Sequence, residues 1–239
     1  MNNGDSEKFI ALYNQLDAYM RSKLRSDRYI SHLTLLRDMS QRDRVFLDYF
    51  SDLKIFADMR NMLAHNPYKK DADPLLYPHA YIIKRYAQIV DSILHPPKAL
   101  SVAIPASKIF TATLDTSIQE LMRIMIRKNY THVPIIKDDM MIGIFSENTL
   151  LSYLVANQEG IILKDATVAD FREFIKIENH INEFFEFVPR NTLMSEVEEI
   201  FHKGMMDKKR IAVVYITESG KNTEKILGMI TPWDLTAAT

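Results

Sequence analysis

Hydrophobic residues in the first 95 positions recur at spacings of three and four, the repeat of one face of an α-helix. The third of four such stripes predicts a helix from about Arg42 to His65, ending just before a proline because a residue that precedes proline disfavours the helical conformation. The fourth stripe ends at Pro96-Pro97. Four helices joined by short turns predict an antiparallel helical bundle over residues 1–95.

Beyond Pro97 the pattern changes to short β-forming runs that alternate with amphipathic helices. Such alternation is typical of helices that pack against a sheet. The fold class expected for the whole chain is therefore α+β, with the bundle followed by a second domain over residues 96–239.

Two copies of one pattern lie within this second domain, at about residues 99–158 and 162–239. Each copy has a short extended stretch, an amphipathic helix, a hairpin of two strands, and a Ser or Thr that starts another helix. The hairpin strands are predicted at Val133–Ile136 and Met141–Phe145 in the first copy, and at Ile211–Ile216 and Ile226–Ile230 in the second. The repeat predicts two β-α-β-β-α units packed as a pseudo-twofold pair, each covering the other's open sheet face.

The segment Gly228–Leu235 leads from a predicted strand into a predicted helix. Thr231 can cap this helix, Pro232 suits its first turn, and Asp234 occupies its third position. One interpretation is structural, a helix start with a capping-box-like arrangement. The other is functional: free amides and the Thr231 hydroxyl would bind a phosphate, and the Asp234 carboxylate would accept hydrogen bonds from ribose hydroxyls.

The two copies together resemble a tandem pair of CBS domains, or Bateman module, over residues 99–239. The resemblance rests on the repeat and on three motifs, His132–Ile136, Gly143–Ser146 and Gly228–Leu235. The last is similar to the family's ribose- and phosphate-binding pattern of Gly, two apolar residues, Thr, two free positions and Asp. The resemblance implies that the pair binds an adenosine-containing ligand such as AMP, ADP or ATP, and that it associates with a second pair as a flat dimer.

The resemblance places a competent ligand site in the second copy, at Thr231 and Asp234. In the family the base lies between apolar residues just before each hairpin, which corresponds here to Arg210, Ile211 and Ala212. Arg210 is in position to reach a phosphate. The alternative is that Arg210 and the two lysines before it form a solvated loop.

The first copy departs from the family pattern. Thr149 stands where the family has Asp, and the charge of Glu147 would repel a phosphate. We therefore expect a weaker or absent second site at Ser146. His132 lies at the matching place in this copy and is assigned to the same weaker site. The bland interpretation of its side chain, which we favour, is a half-buried strand residue rather than a ligand contact.

Near the end of the third predicted helix, Arg60, Asn61 and His65 resemble the Arg-Asn-x-x-x-His signature of HEPN-type helical bundles, several of which are metal-independent ribonucleases. The resemblance implies that Arg60 stabilises phosphate charge and that His65, oriented by Asn61, acts as acid or base. On a regular helix Arg60 and His65 point about 140° apart, so a dimer partner or the long Arg side chain must bridge the gap. The structural alternative pairs Arg60 with Asp58 or Asp52 and uses His65 to close the helix.

Composition narrows the classes of function. The chain of 239 residues has no cysteine and a net charge of −1, which excludes disulfides, thiolate chemistry and an overall basic field for nucleic acid. The remaining histidines show no metal-ligand spacing, so no metal site is expected. No secretory signal and no apolar run of about 18–20 residues is present, and the protein is expected to be cytoplasmic, without a membrane contact.

The function expected from these features is regulatory. The CBS-like pair would bind an adenine nucleotide, and the bundle would mediate homodimerisation or contact a protein partner or RNA, with no cofactor required. The alternative is a nucleotide-gated ribonuclease of the HEPN type that uses Arg60 and His65. A third hypothesis is an interaction module in which both ligand sites are degenerate.

Overall fold

The structure, a computed structural model, describes residues 3–25, 29–64, 76–157 and 160–236. The chain divides into two compact units, residues 1–96 and residues 97–239, here called the helical unit and the repeat unit. The first is helical and the second combines helices with two sheets, so the predicted α+β class is confirmed.

The described part of the helical unit consists mainly of helices. They are α1 (Asn3–Leu24), α2 (His32–Ser40), α3 (Arg44–Asp48), α4 (Phe50–Ala64) and α5 (Ala80–Leu94). The single helix predicted from Arg42 to His65 is wrong, because the chain leaves the helical conformation at Tyr49, with φ −97° and ψ 8°. Asp43 caps the start of α3 by accepting a hydrogen bond from the Val45 amide at 3.0 Å. His65 lies outside the described residues.

Aromatic rings fill the centre of the helical unit. Phe9 of α1, Phe56 of α4 and Tyr86 of α5 are almost fully buried and touch one another, with ring centroids 4.4–6.2 Å apart. Around them lie aliphatic residues from the predicted stripes, among them Leu16 and Leu36. The three-and-four spacing thus identifies the core face of these helices.

The repeat unit contains the two copies in sequence. The first comprises α6 (Ala99–Val102), β1 (Ile104–Pro105), α7 (Ile118–Lys128), β2 (His132–Lys137), β3 (Met140–Ser146) and α8 (Glu147–Ala156). The second comprises β4 (Phe184–Pro189), α9 (Met194–Met206), β5 (Ile211–Thr217), β6 (Gly228–Ile230) and α10 (Pro232–Thr236).

The strands form two sheets. β2 and β3 make an antiparallel hairpin, and β1, β6, β5 and β4 make a four-stranded sheet in that order. β4 runs parallel to β5, whereas β5 with β6 and β6 with β1 are antiparallel. The tight turn of the first hairpin places Asp138 and Asp139 at positive φ, the conformation of a two-residue turn that Asp tolerates.

One hydrophobic cluster joins the two copies. Met141 and Ile144 of β3 pack in it with Phe185 of β4 and with Val213 and Tyr215 of β5. Two further clusters lie under the helices of the first and second copy. The β2–β3 hairpin and the four-stranded sheet therefore help to bury each other. β1 precedes the first copy's helix in sequence but pairs with β6, so the leading strand of the first copy joins the sheet of the second. The strand-to-helix corners of both copies lie at the ends of hairpins that this core holds.

Candidate functional site

The corner of the second copy lies where β6 leads into α10. The last paired residues of this hairpin are Val214 and Ile230, so the register places Thr231 beside Val213. Ile211 and Ala212 begin β5 at the same end of the hairpin. The sheet therefore gathers the predicted residues Thr231, Ile211 and Ala212 at one edge.

Asp234 turns its carboxylate toward Thr231. Its Oδ2 accepts hydrogen bonds from the Thr231 amide and the Thr231 hydroxyl, each at 2.7 Å. These contacts are half of a capping box, as the structural interpretation of this segment predicts. Both bonds end on the same oxygen, and the residue is only half-buried. The carboxylate is thus held in a fixed orientation at the edge of the hairpin.

The residues at the start of β5 differ in exposure. The Ile211 and Ala212 residues are each 8% exposed and form an apolar wall. The Arg210 side chain is exposed, and its carbonyl oxygen accepts a hydrogen bond from the Phe184 amide at 2.8 Å.

The corner of the first copy has a complete capping box. The Ser146 amide donates to the Thr149 hydroxyl at 3.0 Å, and the Thr149 amide donates to the Ser146 hydroxyl at 3.2 Å. Both residues are 1% exposed. Thr149 therefore performs the capping role that Asp234 has in the second copy, but it brings no charge.

A buried carboxylate lies against this first corner. Glu183, which directly precedes β4, accepts hydrogen bonds from His132 Nε2 at 2.9 Å, His180 Nδ1 at 2.7 Å and Asn148 Nδ2 at 2.9 Å. The Ser146 hydroxyl is a fourth donor. Each carboxylate oxygen has two partners, so both imidazole nitrogens that face the carboxylate must carry a proton.

The surroundings of Glu183 keep it ionised. Burial alone would raise the pKa of the Glu183 carboxyl, but hydrogen bonds from His132, His180 and Ser146 outweigh burial and hold the pKa far below its ordinary value. The Phe185 ring makes edge-to-face contacts with both imidazoles. Its centroid lies 5.6 Å from that of His132 and 5.0 Å from that of His180. The result is a largely buried, hydrogen-bonded cluster at the boundary between the copies.

Both residues predicted for the weaker second site, Ser146 and His132, are therefore engaged by the protein itself. His132 is a half-buried strand residue, as predicted. Sequence reasoning missed Glu183 and His180. One signal was available, because Glu183 is two residues before the buried Phe185 and so falls on the inward-facing parity of the strand.

A cavity of about 350 Å³ that sequence reasoning also missed lies between the end of α7 and the start of α8. Its walls are mostly apolar, with a few polar groups that include Ser146 and Glu147. The volume is at the lower end of the range for small-molecule pockets.

In the helical unit Arg60 lies over the ring of Tyr13, with its guanidinium carbon 5.0 Å from the centroid. Tyr13 in turn stacks on His32 at 4.0 Å. The structural alternative paired Arg60 with Asp58 or Asp52, but among the described residues no ion pair joins Arg60 to either, and Asp52 binds Arg85 at 2.9 Å. The cation is instead drawn to an aromatic face that α1 presents.

His32, in the helical unit, was also not predicted as part of a polar cluster. Its Nδ1 lies 2.8 Å from the Asp17 carboxylate, which also binds Arg21 Nε at 2.7 Å. Burial lowers the pKa of His32 despite the stabilising contact with Asp17. Of the HEPN-like motif, Asn61 is exposed, and His65 falls outside the described residues.

Within the described residues, no group of three or more His, Asp or Glu side chains is arranged to hold a metal ion. No helix in the same part of the chain is long and apolar enough to cross a membrane.

Sequence comparison identifies the first copy. The family model of the CBS domain matches residues 101–156, which confirms the predicted resemblance for this copy. A comparison with curated proteins found no match.

Solved structures similar to the chain include three that contain CBS domains or are named for them. A hemolysin-like protein containing a CBS domain from Oenococcus oeni is 13% identical, with a TM-score of 0.41, over 61% of this chain and 91% of that one. CBSX2 in complex with AMP is 13% identical, with a TM-score of 0.42, over 59% and 95%. The CBS domain pair of protein MJ0100, in complex with 5′-methylthioadenosine and S-adenosyl-L-methionine, is 19% identical, with a TM-score of 0.40, over 60% and 95%.

Proposed function

We propose that the protein is a regulatory sensor whose repeat unit binds an adenine nucleotide, AMP, ADP or ATP, at the corner of the second copy. The observation that carries this proposal is the half-buried Asp234 carboxylate, held by Thr231 through one oxygen at the edge of the β5–β6 hairpin. The CBS match in the first copy and the repeat of its pattern in the second support the same assignment.

Each residue of the proposed site has a role that its chemistry allows. With Oδ2 bound by Thr231, Asp234 Oδ1 would accept hydrogen bonds from the ribose hydroxyls. Arg210, whose side chain is exposed, would reach a phosphate. Ile211 and Ala212 would supply an apolar wall for the base.

Regulation then requires that the nucleotide binds two conformations of the protein with different affinities, because only such a difference can shift their populations. The helical unit is proposed to mediate homodimerisation or contact with a partner and so to transmit this shift. No resident cofactor is needed for such a role.

Isothermal titration calorimetry with AMP, ADP and ATP tests the proposal on protein from which bound nucleotide has been removed. We expect saturable heat with at least one of them. Asp234→Asn should weaken that binding about tenfold or more, because a charged acceptor for ribose hydroxyls is lost. Asp207→Asn, at an exposed aspartate of the same copy, is the matched control. Absence of heat with all three nucleotides contradicts the proposal.

A second candidate, RNA cleavage by the helical unit, is favoured by one observation. Arg60, Tyr13 and His32 lie together, so a cation stands near an aromatic surface and an imidazole. The comparison of wild type with His65→Ala and Arg60→Ala in an RNA-cleavage assay tests it. Equal activity in all three proteins removes this candidate.

A further inference from the structure

The Glu183 carboxylate occupies the corner of the first copy in the manner of a bound anion. Its Oε1 is bound by Ser146 and His180, and its Oε2 by His132 and Asn148. Three of these four donors belong to the first copy, whereas Glu183 begins the second. The contact therefore joins the corner of one copy to the leading segment of the other.

The donors in this corner have the chemistry of an oxyanion site. A hydroxyl, an amide and two imidazoles are groups that bind phosphate as well as carboxylate. Ser146 also caps α8, a helix of ten residues whose amino end favours negative charge. The corner thus recognises an anion, and the anion it holds is part of the protein.

The carboxylate does not engage every polar group around it. Among the described residues, His180 Nε2 and the Tyr215 hydroxyl are buried without a hydrogen-bond partner. Tyr215 packs in the same cluster as Phe185, whose ring contacts the imidazoles of His132 and His180. Burial, and then the negative charge of Glu183, raises the Tyr215 pKa. A larger, tetrahedral anion such as phosphate would have these two further polar groups, His180 Nε2 and the Tyr215 hydroxyl, in its surroundings.

The segment that carries Glu183 rests on the corner through few side chains. Between His180 and Glu183, whose side chains are each 2% exposed, Ile181 is 82% exposed and Asn182 is also exposed. A cavity of about 60 Å³ separates part of this segment from α8. The buried side chains of this segment, His180 and Glu183, therefore both take part in the anion cluster.

We propose that Glu183 is an internal counter-ligand that keeps the corner of the first copy closed, and that its displacement opens a site there for a phosphate-bearing ligand. Ser146, His132 and His180 would then bind the phosphate in place of the carboxylate. This inference goes beyond the proposed function and does not depend on the site at Asp234.

The experiment uses the full chain with Asp234→Asn in every protein that is compared. Any loss of binding at the corner of the second copy is then the same in all measurements. Binding of AMP and of inorganic phosphate is measured by calorimetry with and without Glu183→Gln. We expect Glu183→Gln to tighten binding about tenfold or more, because an amide competes less well than a carboxylate for the charged hydrogen bonds. Glu186→Gln, at an exposed glutamate of β4, is the matched control and should change nothing.

Ser146→Ala added to the Glu183→Gln protein should reverse the gain, which locates the new site at this corner. Equal affinity with and without Glu183→Gln, in proteins whose circular dichroism matches wild type, overturns the proposal. If Glu183→Gln does not fold, the test is made on the Asp234→Asn protein by NMR. Saturating phosphate must then shift the imidazole signals of His132 and His180 together, and unchanged signals overturn the proposal.

Discussion

The two strand-to-helix corners of the repeat unit begin from the same local design and differ in their partners. In both, the helix begins at a residue with a hydroxyl group, Ser146 or Thr231. The side chain three positions later accepts a hydrogen bond from the backbone amide of that residue. The first corner is buried, uses an uncharged Thr149, and is covered by a carboxylate from elsewhere in the chain. The second is half-buried and supplies its own carboxylate, Asp234. A local motif thus fixes the capping contacts of such a corner, while a residue distant in sequence, Glu183, covers the first one.

The largest expected effect comes from removing the carboxylate that covers the first corner. Glu183→Ala should lower the free energy of unfolding by about 3 kcal/mol, because four buried donors lose their acceptor. Urea unfolding followed by circular dichroism measures it. Glu186→Ala, on the exposed face of β4, should be close to neutral. A similar loss in both variants would show that the cluster contributes nothing specific.

The next effect compares the glycines that begin the two corner motifs. A Cβ at Gly143 would collide with the backbone carbonyl of Ile175, whereas a Cβ at Gly228 would meet Ala103 and Ile104 at 3.1 Å. Gly143→Ala should therefore cost about 2 kcal/mol or more, and Gly228→Ala less. Thermal unfolding of both variants checks this order, with Gly4→Ala, where a Cβ meets nothing, as the control. The reverse order would contradict the close approach of the Ile175 carbonyl to Gly143.

Acid should weaken the first corner more than the second. Because the folded-state pKa of Glu183 lies below its ordinary value of 4.5, this group stabilises the fold above that value, and the stabilisation is lost as the pH falls toward the folded-state pKa. His132 and His180 face the same carboxylate and donate to it. Urea unfolding of the wild type between pH 7 and pH 3, compared with Glu183→Gln, measures the loss. An equally steep decline in the variant would assign the acid sensitivity to other groups.

The smallest effect concerns the cap of the second corner. Thr231→Ala removes a hydroxyl that donates to Asp234 and should cost about 1 kcal/mol, the usual value for a lost cap. Thr231→Ser keeps the hydroxyl and should cost less. Thermal denaturation of the two variants measures the difference, and equal destabilisation would show that the hydroxyl contributes no capping energy.

The sequence predicts local features of this molecule better than it predicts contacts between distant residues. The helix stripes, the α+β class and the capping contacts at Thr231 and Ser146 follow from local periodicity and spacing, because the forces behind them act over a few residues. Tyr49 interrupts a stripe of hydrophobic residues that continues through it, so the spacing of hydrophobic residues does not reveal this break.

Long-range partners were not predictable in the same way. Glu183 and Ser146 are 37 positions apart in sequence, and no spacing rule joins them. Arg60 has nearby carboxylates in sequence but lies on Tyr13 of another helix. Such pairings arise when the chain folds, so the sequence suggested the identity of the second corner but not the residue that closes the first.

The most direct test of the account is the stoichiometry of AMP binding, measured by equilibrium dialysis on the wild-type chain, Asp234→Asn and Ser146→Ala. The account predicts one AMP per wild-type chain, a loss of that binding in Asp234→Asn, and its retention in Ser146→Ala. Binding that is lost in Ser146→Ala and kept in Asp234→Asn would contradict it, because the open corner would then be the first and not the second.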